Sequence, residues 1–124
     1  MVFTKKLCYT DSKGTFEPIN KEDIPMQLTV RQPSASEDAK HYTTERLRGE
    51  YLIETVFAPD DAILTYSHFD RIIAGGVMPV SKSVELVGCK ELASDTFLQR
   101  REMGVINIGG KGKIAVDGVE YDLK

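Results

Sequence analysis

Residues 113–123 read Lys-Ile-Ala-Val-Asp-Gly-Val-Glu-Tyr-Asp-Leu, and this stretch decides the fold class. Asp117-Gly118 is a dipeptide that accepts positive φ at both positions, as a two-residue type I′ turn demands, so it predicts a hairpin with Val116 opposite Val119. The residues on either side are β-branched, aromatic or alternately polar, which suits strands with one packed face. Working back toward the N-terminus, the same texture predicts strands over residues 51–57, 62–66, 72–80, 83–87, 97–108, 113–116 and 119–123. Turn signals recur about every 8–12 residues, the spacing of an all-β sandwich or barrel. Pro59-Asp60-Asp61 and Gly109-Gly110-Lys111-Gly112 mark the breaks.

Upstream of Tyr51 the texture changes. Residues 1–25 are polar and interrupted by Pro18, Asn20 and Pro25, with a turn at Asp11-Ser12-Lys13-Gly14, and they read as an arm. A short extended stretch is expected over residues 26–30, closed by Gln32-Pro33-Ser34. Ser36 can cap a brief helix over residues 37–42, and Thr43 or Thr44 can cap a second, which Gly49 is placed to end. The expected organisation is an arm (1–25), a short helical segment (26–50) and a β-barrel region (51–124).

Composition narrows the function classes. A chain of 124 residues and 13.8 kDa fits one domain. Sixteen Lys and Arg against nineteen Asp and Glu give a formal charge of -3, with no basic surplus to release counterions from a nucleic acid backbone. The longest uncharged apolar run, residues 72–80, is far shorter than the roughly 20 residues of a membrane-crossing helix. Lys5 and Lys6 have no apolar run behind them, so no signal peptide and a cytoplasmic location are expected. Cys8 and Cys89 lie far apart with no C-x-x-C pair, and are expected to be reduced thiols, one buried and one on the arm.

His41, His68, Cys8 and Cys89 are scattered, with no H-x-H or H-E-x-x-H spacing, so no metal site is expected in this chain. The glycine cluster of residues 107–112 leads into a strand rather than a helix, and reads as a glycine-rich turn instead of a phosphate loop. In Tyr66-Ser67-His68-Phe69-Asp70-Arg71, strand alternation puts Tyr66, His68 and Asp70 on one face. His68 beside Asp70 can serve as acid, base or hydrogen-bond donor, or can be a satisfied structural histidine. In Gln99-Arg100-Arg101-Glu102 an unbroken register points Arg100 and Glu102 inward with Leu98. Either a bulge at Gly104 resets that register, or an arginine there lines a cavity and grips a carboxylate; a structural Arg–Glu pair is the equal alternative. The substrate-binding candidates are therefore His68, Asp70, Arg71, Arg100, Arg101 and Glu102, with no catalytic residue assigned.

Three long motifs, LRGEYL over residues 47–52, TYSHFDRIIAGGVMPV over residues 65–80 and FLQRREMGVINIGGKGKIAVDGVEYDL over residues 97–123, together resemble the N-terminal half of the 5-keto-4-deoxyuronate isomerases, also called 4-deoxy-L-threo-5-hexosulose-uronate ketol-isomerases. The likeness runs from about Met26 onward and leaves residues 1–25 unmatched. It implies a bicupin of two jelly-roll barrels, of which this chain would hold the first in incomplete form, and it implies a homo-oligomer. The implied reaction is an aldose-ketose type isomerisation of a small anionic sugar acid from pectin or glycosaminoglycan breakdown. The family's zinc is implied to sit in the second barrel, on an H-x-H-x-x-x-x-E arrangement with a later histidine, which no residue here matches. No cofactor is thus expected in this chain, although zinc is expected in the full-length family, and the chain alone is expected to be inactive and, through its last strand edge, to self-associate or be poorly soluble. By the same resemblance, Arg71 or one of Arg100 and Arg101 is expected to hold the uronate carboxylate. The alternative is a non-catalytic cupin-like module for sugar-acid binding or oligomerisation, with neither nucleic acid nor membrane as a partner.

Overall fold

The structure is a computed structural model that describes residues 26–124 and the main chain of residues 7–10. Its strands are β1 (Leu7–Thr10), β2 (Met26–Arg31), β3 (Ala62–Ser67), β4 (Ile72–Val77), β5 (Val84–Leu86), β6 (Gly112–Val116) and β7 (Val119–Leu123). Two short helices, α1 (Ser36–Ala39) and α2 (Thr44–Tyr51), lie between β2 and β3, and a 3-10 turn spans Lys90–Leu92. The strands form two sheets, one in the order β5-β1-β6-β7 and one in the order β2-β3-β4. The fold class is all-β, as expected.

β2 and β3 pair in parallel, Met26 with Ala62 through Arg31 with Ser67. Parallel neighbours need a long crossover, and the connection carrying both helices supplies it. β4 returns antiparallel to β3. The inward residues of β3, Ala62, Leu64 and Tyr66, follow strand alternation and meet Val84, Leu86, Leu92, Phe97 and Ile114 in one core drawn from both sheets. The final hairpin is as the Asp-Gly signal predicted: Asp117 has φ 52°, Gly118 φ 81°, and Val116 faces Val119.

Several expected elements differ. β1 is a strand within the expected arm, running antiparallel between β5 and β6; the rest of the arm lies outside the described residues. Helix α1 begins at Ser36, with Ala35 rather than Ser36 as its cap and no side-chain capping bond. Helix α2 is capped by Thr43, whose hydroxyl accepts from the Arg46 N–H at 3.3 Å, but it runs through Gly49 to Tyr51. No glycine cap is needed there because Arg31 donates to Glu50 O at 3.3 Å and Leu52 O at 2.5 Å, satisfying carbonyls at the helix end.

The strand expected at residues 51–57 is absent: Tyr51 ends α2, and residues 52–58 have no regular structure. That segment instead crosses close to β4. A Cβ on Gly76 would stand 2.5 Å from Val56 O and 2.3 Å from Phe57 Cε1, so only glycine permits the approach. β4 is also shorter than expected. Met78 makes only a bridge to Pro59, and Pro79 has no N–H with which to extend a ladder.

The strand expected at residues 97–108 does not form either. The Gln99 N–H donates to Thr96 O at 3.2 Å, and the Asp95 N–H donates to the Gln99 side chain at 2.9 Å, which curls the chain into a turn. Phe97 is thereby buried, at 5% exposure. Residues 101–108 continue without a ladder partner among the described residues, leaving Ile106 and Ile108 87% and 75% exposed. An alternating apolar pattern makes a strand only where a sheet edge receives it.

No helix of the described residues is long and apolar enough to cross a membrane.

Candidate anion-binding site

Tyr66 is the last inward residue of β3 and only 8% exposed. Beyond Ser67 the chain leaves the ladder: the His68 N–H donates to Arg31 O at 3.0 Å, the Phe69 N–H to the Ser67 hydroxyl at 3.4 Å, and Arg71 adopts φ 53°. Residues 68–71 are therefore a turn, and the alternation expected to align Tyr66, His68 and Asp70 stops at the strand end. His68 folds its ring onto Tyr66, with centroids 4.4 Å apart and planes inclined by 33°. Phe69 turns to Tyr51, at 5.3 Å between centroids. Asp70 and Arg71 are exposed, and Asp70 makes no hydrogen bond to His68 among the described residues.

The partner of Tyr66 from the C-terminal half is Arg101. Its Cζ lies 5.2 Å from the Tyr66 ring centroid, and its Nη2 reaches the Tyr66 hydroxyl at 3.5 Å. Its Nη1 is buried with no hydrogen-bond partner among the described residues. An unbroken strand register would point Arg100 and Glu102 inward; the turn over residues 96–99 replaces that register, and Arg101 is the residue that turns in. Arg100 is exposed and lines an open cleft of about 610 Å³ with Lys90, Cys89 and Ser94. Glu102 is exposed and pairs with neither arginine among the described residues. Of the six candidates, the structure sets His68 and Arg101 each against Tyr66 and gives Asp70, Arg71, Arg100 and Glu102 no contact with that ring among the described residues.

Tyr66 itself was not among the binding candidates. Its signal was its place as the last apolar position of a strand that the sequence did predict, one step before a polar turn.

The cluster has definite chemical capacities. A guanidinium keeps its charge, presents a planar fork of donors and matches a carboxylate with two parallel bonds. A buried donor left unpaired is costly, so it marks a place where a partner belongs. Elsewhere, Cys89 is a free, half-buried thiol whose ionisation is pushed up, first by burial, which makes it a weak nucleophile. Among the described residues no three of His, Cys, Asp and Glu gather where they could hold a metal ion.

No family model matches the chain. Among curated proteins, it is 50% identical over 97 residues to the 4-deoxy-L-threo-5-hexosulose-uronate ketol-isomerase of Lachnoclostridium phytofermentans, covering 78% of this chain and 35% of that protein. The same figures hold for the protein of that name from Lachnospira eligens. The one from Yersinia pestis (strain Pestoides F) is 54% identical over 99 residues, covering 77% of this chain and 35% of its own length. The chain thus spans about a third of the length of the curated relatives it matches. Identity at half the aligned positions over more than three quarters of the chain makes it a homologue of the 4-deoxy-L-threo-5-hexosulose-uronate ketol-isomerases.

Proposed function

We propose that the chain works as part of a 4-deoxy-L-threo-5-hexosulose-uronate ketol-isomerase, acting on a small anionic sugar acid in the catabolism of pectin-derived uronates. The observation that carries this reading is the 50% identity over 97 residues to relatives bearing that name. The finer fold in this reading is an incomplete, cupin-like N-terminal barrel of a bicupin, which two sheets sharing one core support. Because the described residues gather no metal-ligand set, the zinc that would polarise the carbonyl belongs to the rest of such a protein, and the chain by itself is inactive. Homo-oligomeric assembly and a cytoplasmic location complete the reading; the free Cys89 thiol is in keeping with a reducing compartment.

The exposed apolar side chains of Ile106 and Ile108 favour a second reading, a non-catalytic module that holds subunits together. One experiment separates the two. The matched residues of this chain replace their counterparts in the Lachnoclostridium phytofermentans relative, and uronate isomerisation is measured. The enzyme reading expects kcat/KM within about tenfold of the parent, equivalent to about 1.4 kcal/mol of transition-state stabilisation. A folded, oligomeric chimera without isomerase activity overturns it in favour of the module.

A further inference from the structure

We propose that Asp117-Gly118, at the tip of the β6–β7 hairpin, is a modification site whose main chain rearranges to isoaspartate at a rate set by the opening of β7.

Asp117 is the one aspartate of the sequence that a glycine follows, and no asparagine has a glycine after it. Both turn residues are exposed. Lys113 pairs with Glu120 and Asp122 rather than with Asp117, and no described residue bonds the Asp117 carboxyl. The space around Gly118 is open, since a Cβ there would meet nothing within 4 Å. The carboxyl and the amide nitrogen that follows it are therefore both free to react.

The chemistry needs only water. The Gly118 amide nitrogen attacks Cγ of Asp117, and the carboxyl hydroxyl leaves with the amide hydrogen as one water, closing a five-membered succinimide. Water then opens the ring. Addition at Cγ restores aspartate. Addition at the Asp117 main-chain carbonyl breaks its bond to the Gly118 nitrogen, so the chain runs on through Cγ and the α-carboxyl is freed. One water leaves and one returns, so the mass is unchanged.

The closed turn forbids the first step. With φ 52° at Asp117 and 81° at Gly118 the turn is type I′, in which ψ of the first residue is about 30°. That rotation carries the Gly118 nitrogen away from Cβ, whereas the five-membered ring needs the two nearly eclipsed. The hairpin must open first, and β7 is the element that holds it. Among the described residues β7 pairs only with β6, and of its residues only Leu123 packs against the core. An edge strand with so little burial opens at low cost. Isoaspartate also adds a main-chain carbon to a two-residue loop whose length sets the Val116–Val119 register, so the modified hairpin closes less well and β7 stays loosened.

The test holds the full 124-residue chain, its Leu123→Ala variant and a synthetic peptide of residues 111–124 at neutral pH for weeks. Isoaspartate is read as methyl groups transferred from radiolabelled S-adenosylmethionine by a protein isoaspartyl methyltransferase, and is located by mass spectrometry of the tryptic peptide 114–124. The unfolded peptide should convert fastest. The chain should convert at Asp117 at least about tenfold more slowly, and Leu123→Ala should regain about threefold or more. Where Leu123→Ala does not fold, the wild-type chain in urea below its unfolding midpoint should show the same acceleration. In the converted chain the amide hydrogens of residues 119–123 should exchange faster and those of residues 62–67 should not. A chain without isoaspartate at Asp117 after the peptide has converted overturns the proposal. Conversion as fast as the peptide's, or a rate that neither Leu123→Ala nor urea raises, overturns it as well, since the opening of β7 would then control nothing. Unchanged exchange in the converted chain overturns the loosening of β7.

Discussion

Asp60 and Arg101 are both charged side chains set against the three-stranded sheet, and their surroundings complete them to opposite degrees. Asp60 sits at φ 57° just before β3 and donates its own N–H to Met78 O at 2.7 Å. Its Oδ1 accepts the N–H groups of Val80 and Ser81 at 2.7 Å and that of Lys82 at 3.2 Å, and its Oδ2 accepts the Ser81 hydroxyl at 2.5 Å. These donors, the Ser81 hydroxyl foremost, hold the carboxyl well below the usual carboxylate range. Among the described residues, Arg101 has one long hydrogen bond and one buried donor with no partner. A charge whose bonding capacity is saturated within the chain fixes the chain's path, here the exit from β4. A charge left half-satisfied beside an aromatic ring fixes the chain less firmly.

The largest expected effect tests the floor of the cluster. Tyr66→Ala removes a buried aromatic side chain and should cost about 3–5 kcal/mol, by analogy with other core aromatic truncations. Tyr66→Phe keeps the ring and loses only the hydroxyl, whose contact with Arg101 is 3.5 Å long, and should cost less than about 1 kcal/mol. Urea denaturation measures both. A Phe variant as damaged as the Ala variant would mean that the Tyr66 hydroxyl is a strong partner, and Arg101 would then be as complete as Asp60.

Asp60 offers the next largest effect, and it has a pH signature. A carboxyl whose folded pKa is depressed contributes stability that is fully present above its unfolded value, near 3.9, and is lost as pH falls through the folded value. The wild-type chain should therefore lose stability progressively below about pH 5. Asp60→Asn should be less stable than wild type at pH 7 and should show a shallower decline in the acid range, so that the two curves converge as pH falls. Parallel curves from pH 7 to pH 3 would show that the Asp60 contacts do not stabilise the fold, and would remove the contrast with Arg101.

The sequence made local features legible and non-local ones opaque. Asp117-Gly118 specified its own hairpin because the turn conformation depends on two adjacent residues. Residues 62–66 were legible because alternation and burial coincide in β3. The pattern of residues 97–108 is as strand-like as either, but its fate depends on whether a sheet edge accepts it. The turn that forms there owes its shape to the Gln99 side chain bonding back to Asp95. That same turn decided which arginine faces Tyr66, so the site was legible as a short roster containing His68 and Arg101 and not as a pair. Tyr66, the residue that joins them, read as ordinary core. The Asp60 clamp was visible only as a break at Pro59-Asp60-Asp61, because its donors lie some twenty positions further along.

The smallest expected effect is the most discriminating. Replacing Arg101 by Met removes a cation–π contact of about 0.5–2 kcal/mol. It also removes a buried donor whose lack of a partner costs about 1–3 kcal/mol, and an unbranched thioether can occupy the space of the arginine stem. The opposing contributions nearly cancel, so the stability of Arg101→Met should lie within about 1 kcal/mol of wild type. If the variant instead loses more than about 2 kcal/mol, as removal of a well-paired buried charge would do, then Arg101 is a structural group of the same kind as Asp60.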